Sequence, residues 1–169
     1  MGAKVGNPFI STALVGQHNR TLQQQAASSR QSTAQVAEHL AAVRVFAGCG
    51  RKELRAIAKL AKVSMVHQGT QIITEGDEGN TMYVILTGTA RVSRGGRKLA
   101  TMGPGVVFGE LAMLSPGPRT ATVVALSDME LAIISRRNLT SALEAAPAFA
   151  RKLLEELADM VRELDKRVV

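Results

Sequence analysis

The feature that most constrains the fold is a change of sequence pattern after Lys62, where polar and apolar residues begin to alternate and glycines become frequent. Alternation with a period of two is typical of strands with one buried face, and closely spaced glycines favour tight turns between strands. The pattern predicts an antiparallel β-roll, a barrel resembling a jelly roll, over residues 63–135. Its strands are expected near residues 64–67, 71–74, 82–87, 89–94, 97–102, 120–126 and 129–135.

Helical periodicity flanks this β region on both sides. Residues 36–62 contain two short amphipathic segments, and residues 136–167 contain a short one followed by a longer one that opens at Pro147. Proline is tolerated in the first turn of a helix, where its missing N–H costs no hydrogen bond. The predicted fold is therefore mainly β with flanking α-helices, and the last helix could serve as core, as a dimer seam or as a lid over a ligand.

The beginning of the chain differs in composition from the remainder. Residues 17–35 are rich in Gln and Ser and contain one large aliphatic side chain, Leu22. Such a composition buries too little apolar surface to offset the entropy of ordering the backbone. We therefore predict a flexible polar arm over residues 1–33 and one domain over residues 34–169, which agrees with a total length of 169 residues.

The net charge of +7 is distributed unevenly. The first 35 residues contain Lys4, Arg20 and Arg30 and no acidic residue, so the domain itself is only mildly basic. The densest basic stretch, residues 51–62, interleaves its charges with apolar residues at helical spacing. This arrangement favours a solvated helix face over a DNA-binding surface.

Two further features bear on the location of the protein. The sequence has no uninterrupted apolar run long enough to span a bilayer, and it begins with a poor signal peptide because polar residues interrupt the apolar stretch. Its single cysteine, Cys49, has no partner in the chain for a disulfide. These features favour a protein of the cytoplasm without a membrane span.

One stretch of the β region, residues 108–123, breaks the alternation. Its segment from Gly109 to Ala112 is typical of the first turn of a short helix, whose unpaired N–H groups can bind an anion. Arg119 follows after two prolines and could grip phosphate oxygens with two charge-assisted hydrogen bonds. The sequence therefore predicts a phosphate site, although a surface turn with a solvated arginine would explain these residues if they stood alone.

Glu110 has a separate role in this hypothesis. A carboxylate repels a phosphate, so Glu110 is better suited to accept hydrogen bonds from neutral hydroxyl groups such as a ribose 2′-OH. One phosphate together with one free ribose hydroxyl describes a cyclic nucleotide.

The sequence resembles the cyclic nucleotide-binding domain family over roughly residues 36–167. Residues 108–112 and 118–122 resemble its phosphate-binding cassette, and residues 69–77 and 82–88 are similar to its roll strands and turns. The resemblance implies that Arg119 contacts the cyclic phosphate and that Glu110 contacts the ribose 2′-OH. It further implies that the N–H groups of three residues complete the phosphate cradle: Leu111, Ala112 and Ala121.

The resemblance also carries expectations about the base. Thr120 occupies a position that often contacts the phosphate and, in members preferring cyclic GMP, the guanine. Because cyclic AMP binders carry Thr there as well, it does not decide the base, and we favour cyclic AMP on the prevalence of that messenger in bacterial members. The family closes its pocket with the last helix, so the resemblance assigns the lid to Leu157, Met160 or Leu164, each of which could equally be core.

The sequence does not decide what the domain acts on. Because the sequence ends after the long helix, we expect no DNA-binding domain. The histidines are widely spaced and Cys49 has no metal-ligand partner nearby, so we expect no metal. We also expect no cofactor beyond the nucleotide ligand, and the chain lacks a recognisable catalytic set. The first alternative is a stand-alone, non-enzymatic sensor that acts on an unknown protein effector. The others are a regulatory portion of a larger protein and a basic interaction protein that binds no nucleotide.

Overall fold

The computed structural model describes residues 33–168, so the predicted arm lies outside the described residues apart from residue 33. The helices are α1 (residues 33–41), α2 (Arg51–Leu60), α3 (Leu111–Leu114), α4 (Arg136–Ala145) and α5 (Pro147–Val168), with a 3-10 turn at Arg44–Phe46. The strands are β1 (Lys62–Val66), β2 (Gln71–Ile73), β3 (Thr81–Thr87), β4 (Ala90–Arg94), β5 (Arg97–Met102), β6 (Val107–Phe108), β7 (Thr122–Ala125) and β8 (Met129–Ser135).

The strands form two four-stranded antiparallel sheets. One has the order β1-β8-β3-β6 and the other has the order β2-β7-β4-β5. In the first sheet Tyr83 lies opposite both Ile133 of β8 and Phe108 of β6. Together with the flanking helices, these sheets confirm the predicted fold class.

Both faces of β3 in the first sheet are largely buried, which explains why this strand is almost continuously apolar. Met82 and Val84 belong to a core shared with the helices, where Phe46 and Phe149 pack with ring centroids 4.9 Å apart. Ile85 belongs instead to the core inside the roll, with Phe108 and residues of β7 and β8. The first sheet thus lies between the interior of the roll and a helical layer.

The structure differs from the predicted strands in two places that matter for the site. Strand β6 was not predicted because a two-residue strand gives no measurable periodicity. Strand β7 begins at Thr122, two residues later than predicted, because the backbone of Arg119 is bound to the turn after β2 instead of to a sheet. Within the described residues, no helix is both long and apolar enough to cross a membrane.

Candidate functional site

Gly109 joins strand β6 to helix α3 with a left-handed backbone conformation, φ +79°. A Cβ atom at this position would lie 2.7 Å from Nη1 of Arg119 and 3.0 Å from the carbonyl oxygen of Thr81. Both the positive φ and the close approach require glycine. The missing side chain therefore allows Arg119 to reach the start of α3.

The backbone of Arg119 is anchored to the turn that follows β2. Its N–H donates to the carbonyl of Asp77 at 2.7 Å, and its carbonyl accepts from the N–H of Gly76 at 2.9 Å. Pro118 forms an isolated antiparallel bridge with Glu78 next to these bonds. This pairing fixes the direction in which the Arg119 side chain leaves the chain.

The guanidinium of Arg119 is buried against neutral acceptors, with the residue only 8% exposed. Nη1 donates to the carbonyl of Gly109 at 3.0 Å, and Nη2 donates to both the carbonyl and the hydroxyl of Thr81 at 2.9 Å each. Its Cζ atom lies 5.9 Å from the ring centroid of Tyr83, which stacks on Phe108 at 5.0 Å. A cation above an aromatic face is electrostatically favourable.

The predicted ligand-binding residues converge on one small cleft of about 60 Å³. Its lining is Gly109, Glu110, Leu111, Ala112, Pro118, Arg119 and Thr120. Ala121 was predicted with this group but does not line the cleft; it is half-buried just before β7. Since the first N–H groups of a helix have no partner four residues earlier, the start of α3 offers donors to this cleft.

Glu110 stands at the start of α3, half-buried in the cleft. Burial is the largest influence on its carboxyl group and raises the pKa above its ordinary value. The nearby carboxylate of Glu156 raises the pKa further, while hydrogen bonding to its own backbone N–H and the charge of Arg119 lower it. No ion pair between Glu110 and Arg119 is present among the described residues, so both groups face the cleft unneutralised by each other.

The three predicted lid residues do not line this cleft. Leu157 is half-buried against the helical core, and Leu164 is exposed. Met160 lies beside a larger cavity of about 400 Å³ between α5 and the loop before β6, together with Val106 and Glu156. The structure therefore brings the cassette residues together and leaves the assigned lid residues apart from them.

Three residues that contact the cassette from elsewhere were not predicted. Thr81, 38 positions before Arg119 in the sequence, accepts a hydrogen bond from its guanidinium. Gly79 packs against the same side chain, because a Cβ at that position would lie 2.2 Å from Nε of Arg119. Arg136, at the start of α4, donates to the carbonyls of Gly79 and Ala112 and so ties the turn after β2 to α3. No local spacing reveals these contacts, because each depends on how distant strands pair.

Comparison with known proteins agrees with this geometry. Residues 64–146 match the family model described as the cyclic nucleotide-binding domain. This range includes the cleft, strands β2 to β8 and all of α4.

The chain is also similar to individual proteins in sequence and in structure. The chain is 33% identical over 126 residues to a cyclic AMP receptor protein from Thermus thermophilus, covering 72% of this chain and 58% of that protein. It is 38% identical over 90 residues to a cAMP-dependent protein kinase regulatory subunit from Eremothecium gossypii, covering 53% of this chain and 19% of that one. A structure described as Sp-2Cl-cAMPS bound to PKAR CBD2 superimposes with a TM-score of 0.68 at 25% identity, over 81% of this chain and 94% of that one.

Proposed function

Because the chain belongs to the cyclic nucleotide-binding domain family through residues 64–146, we propose that it is a non-enzymatic sensor that binds a cyclic mononucleotide, with cyclic AMP preferred over cyclic GMP. The observation that carries this proposal is the cleft in which buried Arg119, Glu110 and the start of α3 meet. The printed names of the relatives, which refer to cyclic AMP, support the preference for that base.

Each group in the cleft suits one part of the ligand. Arg119 supplies the positive charge for the cyclic phosphate, and the N–H groups of Leu111 and Ala112 satisfy remaining phosphate oxygens. The N–H group of Ala121, next to the cleft in sequence, completes this set in the proposal. The Glu110 carboxylate accepts the hydrogen bond of the ribose 2′-OH, a task for which an acceptor without its own donor is suited. Thr120 is exposed and lines the cleft, and in this proposal it contacts the phosphate or the base.

The proposal extends to what the domain acts upon. The chain spans 58% and 61% of the length of the first curated relatives it matches. We propose that nucleotide binding regulates a protein effector, either as a separate chain or as part of a longer protein, and that this takes place in the cytoplasm. A basic protein that uses the roll without binding nucleotide is the competing function.

Calorimetry of the nucleotide-free protein with cyclic AMP and cyclic GMP tests the proposal. We expect saturable binding, tighter for cyclic AMP. Arg119→Ala should weaken it about 30- to 1,000-fold, or ~2–4 kcal/mol, since the phosphate loses its nearby cation in a desolvated site. Arg91→Ala removes an equal charge from an exposed position on β4 and serves as the matched control.

Two outcomes would contradict the proposal. Absence of binding for both nucleotides in folded protein, verified by circular dichroism, would favour the basic interaction protein. Conversion of cyclic AMP to linear AMP in proportion to pure protein would show an enzyme and overturn the non-catalytic part.

A further inference from the structure

The hydroxyl of Thr81 occupies a central position beside Arg119. It accepts a hydrogen bond from Nη2 of Arg119 at 2.9 Å and lies 3.0 Å from the phenol oxygen of Tyr83, to which it donates. The carbonyl of the same residue accepts a second bond from Nη2. Thr81 therefore holds one nitrogen of the guanidinium with two oxygens while Gly109 holds another.

These contacts orient the guanidinium without neutralising it. All three acceptors are uncharged, and within the described residues Arg119 forms no ion pair. A carboxylate in place of Thr81 would also hold the side chain, but it would cancel the charge that attracts an anion. A hydroxyl fixes the geometry and leaves the positive potential available.

These contacts use three of the five N–H donors of the guanidinium and leave two unused, the Nε–H and one N–H of Nη1. Nε of Arg119 has no protein acceptor in the described part of the chain, and Gly79 faces it without a side chain. A guanidinium restrained at Nη1 and Nη2 holds its unused donors in fixed directions, so a bound anion that reaches them requires little reordering of the side chain.

We propose that Thr81 is a positioning residue for Arg119, and that its hydroxyl pre-orders the guanidinium before the nucleotide arrives. The inference rests on the proposed function for its ligand, but the restraint on Arg119 exists in the free protein. It can therefore be tested with and without nucleotide.

The first measurement uses the nucleotide-free protein. Nitrogen NMR of the Arg119 side chain reports how fast the guanidinium rotates, and Thr81→Val, Thr81→Ser and the parent are compared. Removing one hydrogen bond should speed the rotation about two- to tenfold in Thr81→Val. Thr81→Ser keeps the hydroxyl and should behave like the parent, whereas unchanged rotation in Thr81→Val overturns the inference.

The second measurement is the dissociation constant for cyclic AMP. Thr81→Val should weaken binding about three- to tenfold, corresponding to one pre-ordering hydrogen bond, while Thr81→Ser stays within about twofold of the parent. Thr74→Val is the matched control, because Thr74 lines the same cavity of about 350 Å³ as Thr81 and Arg119, but its hydroxyl accepts a hydrogen bond from Gln71.

The outcomes separate the two proposals. Faster rotation of Arg119 with unchanged affinity for cyclic AMP in Thr81→Val would overturn the positioning role. If the parent binds no cyclic nucleotide, the proposed function fails, while the rotation measurement still decides whether Thr81 orders Arg119. Equal losses in Thr81→Val and Thr81→Ser would also contradict the inference, because the hydroxyl would then not be the active group.

Discussion

At the scale of single residues, the cleft holds two opposite charges that are not paired with each other. Burying an ionised group without a partner is costly, and here the cost is reduced for Arg119 by three hydrogen bonds and an aromatic face. Glu110 has less compensation, which is why its pKa is raised. Such residues are typical of ligand sites, where the missing partner is supplied by the ligand.

Glu110 therefore makes the stability of the free protein depend on pH. Because its pKa is higher in the folded state than in the unfolded chain, protonation favours folding, and this contribution is lost as the pH rises through the folded pKa. Glu110→Gln should raise the free energy of unfolding relative to the parent at neutral pH, with the difference vanishing below the ordinary carboxyl pKa. Urea denaturation between about pH 4 and pH 8, the range in which the carboxyl group titrates, measures the free energy of unfolding of both proteins.

The same variant should weaken binding of cyclic AMP, because an amide is a poorer acceptor for the ribose hydroxyl than a carboxylate. A stability gain combined with an affinity loss identifies Glu110 as a ligand group. Loss of stability at neutral pH would show that its carboxylate supports the fold instead.

The sequence predicted the cleft well where its residues are neighbours in the chain. Gly109 to Ala112 and Arg119 to Thr120 lie in one short segment that departs from the strand pattern, so the departure itself was the signal. Thr81, Gly79 and Arg136 could not be found in this way. They meet the segment only after β3 pairs with β6 and β8, and that pairing has no local signature.

At the scale of elements, α5 consists of two different halves. Phe149 and Leu153 in its first half are buried in the helical core, whereas Val161 and Leu164 in the second half are each 56% exposed. The apolar positions Leu154, Leu157, Val161 and Leu164 alternate at spacings of three and four residues, as in the seam of a coiled coil. The helix therefore presents an apolar stripe that, apart from half-buried Leu157, the described part of the protein leaves uncovered.

We predict that this stripe mediates a homodimer. The double variant Leu154→Glu, Val161→Glu should convert a dimer into a monomer, since it places charges in the seam at exposed positions that the monomer core does not use. Met65→Glu alters an apolar residue of β1 that is as exposed as Leu154, at 66%, and is the control. Sedimentation equilibrium measures the mass, and a parent protein that is monomeric at all concentrations would contradict the prediction.

The elements themselves were predicted to different extents. Long periodic segments such as β3, β8 and α5 agree with the sequence pattern within a residue or two. Strand β6 was not predicted because its two residues show no periodicity and form a strand only by pairing with β3. The late start of β7 was not predicted because it follows from the bonds between the Arg119 backbone and the turn after β2. The local sequence pattern therefore predicts the long strands of the roll, whereas β6 and the start of β7 depend on tertiary pairing.

At the scale of the whole molecule, α5 is electrostatically connected to the cleft. Glu156 on α5 raises the pKa of Glu110 and also forms an ion pair with Arg44 of the 3-10 turn, at 3.5 Å. Asp159 lies 4.0 Å from the same arginine. Because the Arg44 side chain is 77% exposed, both ion pairs are expected to be weak. They therefore add little resistance to a ligand that favours another position of the second half of α5.

The last prediction is that cyclic AMP draws the second half of α5 over the base. A ligand shifts a helix only through contacts that differ between its two positions, so Leu157, Met160 or Leu164 must then contact the nucleotide. Hydrogen exchange of residues 157–166 should slow on adding cyclic AMP, while β8 remains unchanged.

We expect a chain ending at Glu156 to stay folded, because Phe149 and Leu153 are retained, but to bind more weakly. Using the monomeric double variant as the parent separates this effect from dimerisation. Unchanged exchange together with undiminished affinity of the shortened chain would contradict the lid and leave a nucleotide-binding roll whose last helix serves another contact.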